Sequence, residues 1–559
     1  MLKKVVLAGA LILSSISYGQ LRVGVESNSQ YYIDDKKIKL EPQEQDERFR
    51  SNNYIKLDYT LGNFEIGLQG EAYFPKAILN FNPQLQDFNV GTFFVRYNNY
   101  EKGIDVTAGH IYDQFGSGLA LRFWEDRALG INNALLGGRI KYRFGDVANV
   151  KILGGKQRIG MGFDLSDAVV YGADVDLDLA NVFEIESYGL KFGGTFVGKY
   201  EDLSLLNNTA PKTVNIFGPR FEYFGNKLNA SVEYLYKTDD MHAENTKVID
   251  QTIRDGNAFL MNLGYNSGSF AANINLRRLE NFGFFSQKNA TGNVFNYGMI
   301  NYLPSLTKQY DHTLQNIYVY QALAKMSFEK DREKVGEIGG QFDVFYEAAM
   351  NSFLGGETGA SFAVNGSYWA GLKNSNLTTI DEFGWEYTTD LSTTFFGFGS
   401  KAYSDLAIEY RKPFSKKVSA IFSYLNQYYN SAYLEGKSYS VKSNVLSAEA
   451  TYFLSDIKSV RFELQHLWAD NDRKNWVGGT LEYIPSSKWS FFVQDIYNYG
   501  TDVESQKLHY YNFGGAFTKG ATRIAASYGR QRGGMVCVGG VCRWVPESAG
   551  FTLNLTTNF

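Results

Sequence analysis

Phe551-Thr552-Leu553-Asn554-Leu555-Thr556-Thr557-Asn558-Phe559 is the last stretch of the chain, and Phe551, Leu553 and Leu555 alternate in it with Thr552, Asn554 and Thr556. Successive side chains of a strand point to opposite faces, so this stretch has one apolar and one polar face. The rhythm recurs upstream. Ile55, Leu57, Tyr59 and Leu61 alternate with Lys56, Asp58 and Thr60; Gly62-Asn63 turns the chain; Phe64, Ile66, Leu68 and Ala72 then oppose Glu65, Gln69 and Glu71. Leu406, Ile408 and Tyr410 oppose Asp405, Glu409 and Arg411, and Val460, Phe462 and Leu464 oppose Arg461, Glu463 and Gln465. Strands of a water-soluble sandwich run to about five or six residues. Many here run to about nine to eleven, the length that crosses a bilayer when tilted.

The connections point the same way. Tight turns fall at 61–63, 145–148, 225–226, 413–416, 455–458, 485–488 and 518–520, and between them lie longer loops such as 33–47, 237–256 and 277–316. Short turns at one end and long loops at the other describe an outer-membrane barrel with its long loops outside the cell. A final amphipathic strand ending in Phe, here Phe551, Leu553, Leu555 and Phe559, resembles the signal read by the bacterial outer-membrane assembly machinery. Only a closed barrel satisfies every backbone donor and acceptor of strands in lipid. The expected fold is therefore all-β: a large antiparallel transmembrane barrel of about 24 to 26 strands, an even number placing both termini on the periplasmic side. Residues 347–402 are the unsettled stretch, holding either one long external loop or an extra hairpin.

Composition agrees. The 559 residues include 39 Tyr, 42 Phe and 56 Gly but only nine Pro, the balance of an all-β protein. The net charge of −4 gives no case for nucleic acid. Residues 1–19 read as a signal peptide: Lys3 and Lys4, an apolar core from Val5 to Ile16, then Ser17-Tyr18-Gly19 before a mature start at Gln20. No cysteine near that point suits a lipoprotein. Residues 20–559 are read as one barrel, placed in the outer membrane of a Gram-negative cell. Because strand pattern begins at Leu21, no plug domain of an energy-coupled importer is expected.

A barrel this wide encloses a large aqueous lumen unless loops fill it. Residues 110–136 are the candidate filler, the third external loop by count and the one long segment with a different rhythm. The loop in that place narrows the pore of general porins. Tyr112, Phe115, Arg122, Trp124, Glu125, Asp126 and Arg127 are the expected constriction or plug residues, with Leu119–Leu129 as a short helix stopped by Gly130. Its four charges would then pair with lumen charges, either as an internal brace or as a selectivity filter.

Glu26-Ser27-Asn28-Ser29-Gln30-Tyr31-Tyr32, Phe49-Arg50-Ser51-Asn52-Asn53-Tyr54, the 109–135 segment and Gly529–Pro546 together resemble a family of Bacteroidota outer-membrane proteins of unassigned function. The resemblance spans the mature chain and is specific in those four places. It implies location and barrel fold and carries over no catalytic residue.

Cys537 and Cys542 are the only cysteines. With Gly539-Gly540 as a two-residue turn, Val538 faces Val541 and Cys537 faces Cys542 in a non-hydrogen-bonded pair, where Cα atoms lie closer. A structural disulfide is expected, worth about 2 kcal/mol for so short a loop. Asp174, Asp176 and Asp178 share one strand face and read as solvated lumen carboxylates rather than a cation site. Asp470-Asn471-Asp472 lacks the glycine and distal Glu of a calcium loop. The five histidines (110, 242, 312, 466 and 509) have no paired metal spacing, and no G-x-S-x-G turn is present. Neither enzyme activity nor a cofactor is expected.

Two functions compete. One is an accessory or scaffolding subunit of an outer-membrane complex for surface-protein assembly or export. The other is a porin-like channel for small solutes. The expected partners are outer-membrane lipid, the assembly machinery during insertion, and other outer-membrane subunits.

Overall fold

The computed structural model describes residues 19–38, 48–78, 85–203, 210–241, 253–288, 290, 298–323, 336–374, 379–380, 386–387 and 393–559. The expected leader, apart from Gly19, falls outside these residues, as does His242. Twenty-four of the strands form one sheet. In chain order they are β1 (Gln20–Tyr32), β2 (Phe49–Leu61), β3 (Phe64–Phe74), β4 (Asp87–Asn99), β5 (Ile104–Ile111), β6 (Leu135–Phe144), β7 (Ala148–Gln157) and β8 (Val169–Asp178). Then follow β9 (Gly189–Tyr200), β10 (Thr213–Phe224), β11 (Leu228–Met241), β12 (Ile253–Asn266), β13 (Phe270–Glu280), β14 (Gly336–Ala348), β15 (Ala360–Asn374) and β16 (Thr393–Ser415). The last eight are β17 (Val418–Tyr429), β18 (Val441–Ser455), β19 (Lys458–Ala469), β20 (Trp476–Ser486), β21 (Trp489–Asn498), β22 (His509–Lys519), β23 (Thr522–Gln531) and β24 (Ser548–Asn558).

Each strand pairs antiparallel with its neighbour in this series, and β1 closes on β24 from Gly24 opposite Asn558 to Tyr32 opposite Gly550. Phe559 extends the seam, donating its N–H to Val23 O at 2.8 Å. The sheet therefore has no edge, and its backbone polar groups are paired without water. Residues 347–402 resolve as the extra hairpin: a turn at 349–359, β15, and the beginning of β16, with a small ribbon pairing Thr379–Ile380 with Glu386–Tyr387 between them.

The two faces are inverted relative to a water-soluble protein. On β19, Phe462 and Leu464 are 48% and 51% exposed, whereas Glu463 and Gln465 retain 5% and 3%. The outward set continues round the barrel through Ile55, Ile66, Ile408, Leu446, Val493 and Leu553. So continuous an apolar exterior over a polar interior is stable only in lipid. At the short-turn end, exposed Phe64, Phe144, Phe224, Tyr265, Phe414 and Trp489 each sit within two residues of a turn, an aromatic girdle at one bilayer surface.

Candidate functional site

The candidate functional region is the lumen, and connections from the long-loop end enter it. The first joins β5 to β6, as expected, but its conformation corrects the expected Leu119–Leu129 helix. Asp113–Phe115 pairs with Leu121–Phe123, and Glu125–Asp126 pairs with Ile131–Asn132. Gly116, Gly118 and Gly130 hold positive φ, which folds the chain into reversals where a helix would need uniform backbone angles. Phe115 is fully buried with Leu119, Leu121 and Phe123, packing among inward residues of β8 to β12 such as Val170, Val197, Ile216 and Ala258.

The charges of this segment divide by role. Arg127 pairs with Glu26 of β1, donates to Gln69 Oε1 of β3 at 3.0 Å, and lies 4.3 Å over the Tyr54 ring of β2. Glu125 accepts from Gln69 Nε2 at 2.8 Å. Asp126 instead accepts the Leu129 N–H at 2.9 Å, closing a local turn. Among the described residues Arg122 pairs with no lumen carboxylate; its guanidinium stacks 4.0 Å from the Tyr302 ring and 5.2 Å from Trp124. Tyr112 donates to Asn132 Oδ1 at 3.0 Å within the segment. Ser117 reaches Glu233 on β11.

The second connection, between β13 and β14, was expected to be an external loop. Its described residues 298–323 fold inward instead. Arg122 N donates to Ile300 O at 2.8 Å, Tyr302 N to Gly118 O at 3.0 Å, and Asn133 Nδ2 to Met299 O at 2.9 Å, so the two segments interlock. Beyond Tyr302 this segment crosses the other half of the lumen. Trp369 Nε1 of β15 donates to Leu306 O, Tyr310 donates to Asp405 of β16, Gln315 Nε2 donates to Ser423 of β17, and Leu314 N donates to Gln465 of β19. Tyr320 donates to Glu337 at 2.6 Å, and Arg277 pairs with the same carboxylate. Met299, Ile300, Leu303, Leu306, Leu314 and Leu323, with four tyrosines between, are too apolar for an exposed loop, and that was the available signal.

The third connection is the hairpin Gly534–Val538 with Val541–Val545, turning at Gly539 and Gly540, both at positive φ. Cys537 and Cys542 face each other and are joined by a disulfide. Ser305 N donates to Gly540 O and Tyr302 OH donates to Gly539 O, so the hairpin docks on the inward segments. Val541 is buried with Leu129 and Ile131.

Two other readings change. Asp174 is 1% exposed rather than solvated: Arg220 holds it through two bonds of 2.7 and 3.0 Å, Thr195 donates at 2.6 Å, and Arg220 also binds Asp176. Asp178 caps a turn helix, α1 (Leu179–Val182). His312, though isolated in sequence, meets Glu449 of β18 and Glu463 of β19, their ligand atoms lying within 4.8 Å of one another. His312 Nδ1 is 3.0 Å from Ser447 Oγ and Nε2 is 3.4 Å from Glu449. Arg461 donates to both carboxylates, at 3.1 and 2.9 Å, and supplies positive charge there.

A closed antiparallel barrel with a lipid-matched exterior and a polar, loop-bearing lumen is a barrel of the outer-membrane type. The chain belongs to a family of unknown function (DUF6029), whose profile matches residues 1–559. No curated protein matches it. Among solved structures it is similar to the siderophore receptor PirA from Pseudomonas aeruginosa, at 8% identity and TM-score 0.40, covering 97% of this chain and 80% of that one. It is also similar to the P pilus usher (PapC) translocation pore, at 8% identity and TM-score 0.44, covering 96% and 99%. OpdQ from Pseudomonas aeruginosa is a third, at 9% identity and TM-score 0.32, covering 85% and 97%. These likenesses concern barrel architecture alone.

Proposed function

We propose that this barrel is a non-enzymatic accessory or scaffolding subunit of an outer-membrane complex that assembles or exports surface proteins. It sits in the outer membrane of a Gram-negative cell with its long loops outside, and lipid and other outer-membrane subunits are its partners. During insertion β24, with outward Phe551, Leu553 and Leu555 and terminal Phe559, is the element the assembly machinery reads.

One observation carries the reading: the lumen is occupied by segments bonded to its wall at several points round the ring. Arg127 ties the first segment to Glu26, while Leu314 ties the second to Gln465. Charges placed this way are stable only when paired, because an unpaired one loses its solvation. A barrel so braced is a rigid platform rather than a conduit. The test is planar-bilayer recording of the wild type against a variant with 113–133 replaced by a short Gly/Ser linker. A poorly conducting wild type and a conducting variant support the scaffold. A wild type that already conducts as a wide pore, unchanged by the replacement, would leave the porin-like reading in its place.

A further inference from the structure

Where the three inward connections meet, the lumen keeps a chamber of about 560 Å³ bounded by residues near 128, 305–320 and 530–545 and by the inner faces of β21 and β22. That volume is within the range of small-molecule sites, about 300–1,000 Å³. Its charge is one-sided. Arg530, Arg532 and Arg543 line it, with Lys308, whose ammonium donates to Asn365 Oδ1 at 2.8 Å, against Asp311 alone among the described residues.

The carboxylates within reach are already engaged. Asp35 holds Arg530 through bonds of 2.6 and 2.5 Å. Asp311 sits at the exposed rim, 3.6 Å from Arg411. Asp472 accepts from Tyr439 at 2.8 Å and Tyr318 at 3.3 Å and pairs with Lys437. Glu547 accepts from Tyr510 at 2.6 Å and lies 3.6 Å from Arg473. Arg532 is left with no hydrogen-bond or ion-pair partner among the described residues. Burial, and Arg473 beside it, hold its guanidinium below the ordinary pKa. Even so an arginine stays charged, and its planar fork fits the paired oxygens of phosphate or carboxylate.

We propose that this chamber binds an oxyanion group, phosphate or carboxylate, of a small solute, with Arg532 as its main ligand and Arg543 also lining the chamber. The inference does not depend on the scaffold reading, because an anion can occupy the chamber whether or not the lumen conducts.

The test is isothermal titration of the full-length, detergent-solubilised protein at low salt, with inorganic phosphate and with succinate separately. One saturable event per barrel is expected for at least one anion. Arg532→Gln should weaken it at least tenfold, and Arg523→Gln, on the exposed short-turn end of β23, should leave it unchanged. Phosphate binding without succinate binding assigns the site to phosphate groups; the reverse assigns it to carboxylates. Should Arg532→Gln fail to assemble, Arg532→Lys keeps the charge without the fork and should still weaken binding. Saturation by neither anion overturns the proposal. So does unchanged affinity in every assembled Arg532 variant.

Discussion

The ion pair between Arg158 and Glu71 gives the most direct measure of how much the polar interior contributes. Arg158 follows β7, and its side chain is 0% exposed against 1% for Glu71, with two bonds of 3.0 and 2.6 Å between them. Arg158→Met removes the guanidinium and leaves the carboxylate in the lumen wall. Breaking a buried pair from one side costs about 3–5 kcal/mol, because a charge stays buried without its counter-charge. Glu71 keeps three weaker donors, Gln69 at 3.1 Å, Tyr73 at 3.3 Å and Asn132 at 3.4 Å. They place the expected loss near the lower end, about 3 kcal/mol. In Arg158→Met with Glu71→Gln the residual side chain is neutral and still bonded, so stability should return to within about 1 kcal/mol of wild type, a recovery of about 2 kcal/mol relative to Arg158→Met alone. Urea unfolding in lipid vesicles, followed by tryptophan fluorescence, measures these two variants and Glu71→Gln alone. Losses that simply add in the double variant would refute the argument, and so would a single-variant loss below about 1 kcal/mol.

Two further expectations rest on other parts of the molecule. Leu553 lies midway along β24 and is half exposed to lipid; Leu553→Arg should cost about 2–4 kcal/mol in the same unfolding assay, and a neutral result would place that face outside the bilayer. Burial opposes charging His312, but its bond to Glu449 and the nearby Glu463 outweigh it, so its pKa lies above the ordinary 6.5. A raised folded-state pKa means that the stabilisation is complete below about 6.5 and is lost as pH rises through the raised value. Hydrogen exchange in residues 298–323 should therefore quicken with rising pH beyond the intrinsic rate change, and the excess should vanish in His312→Asn. Persistence of the excess in that variant would remove His312 as its source.

The wall was legible in the sequence because alternation is local: Phe462, Glu463, Leu464 and Gln465 declare their faces without reference to the rest of the chain. What fills the wall is not local. Residues 119–129 looked helical because spacing alone cannot show that Arg122 will bond its backbone to Ile300, or that Gly116 and Gly118 will reverse the chain. Asp174 was placed on the correct face but read as solvated, since the strand carrying Arg220 lies two positions round the barrel. The turn chemistry of Gly539-Gly540 was readable because it also is local, and the facing of Cys537 and Cys542 came with it. The length of 277–316 suits an external loop as well as an inward one, so the inward fold of 298–323 is legible only in its density of leucine and tyrosine.

The cluster of Leu129, Ile131 and Val541, with Trp124 and Tyr302 against it, draws on three distant parts of the chain. It follows that the interior can be completed only after residues near 541 are in place, when nearly all the wall has formed. Contacts this remote in sequence are slow to form. Until they form, the interior of the assembling barrel is unfinished, and a transient leak is the expected consequence for each copy inserted. A chain lacking 534–545 is expected to hold the leak open, seen as faster entry of a bulky antibiotic; unchanged entry would show that the two inward segments seal the ring without the hairpin.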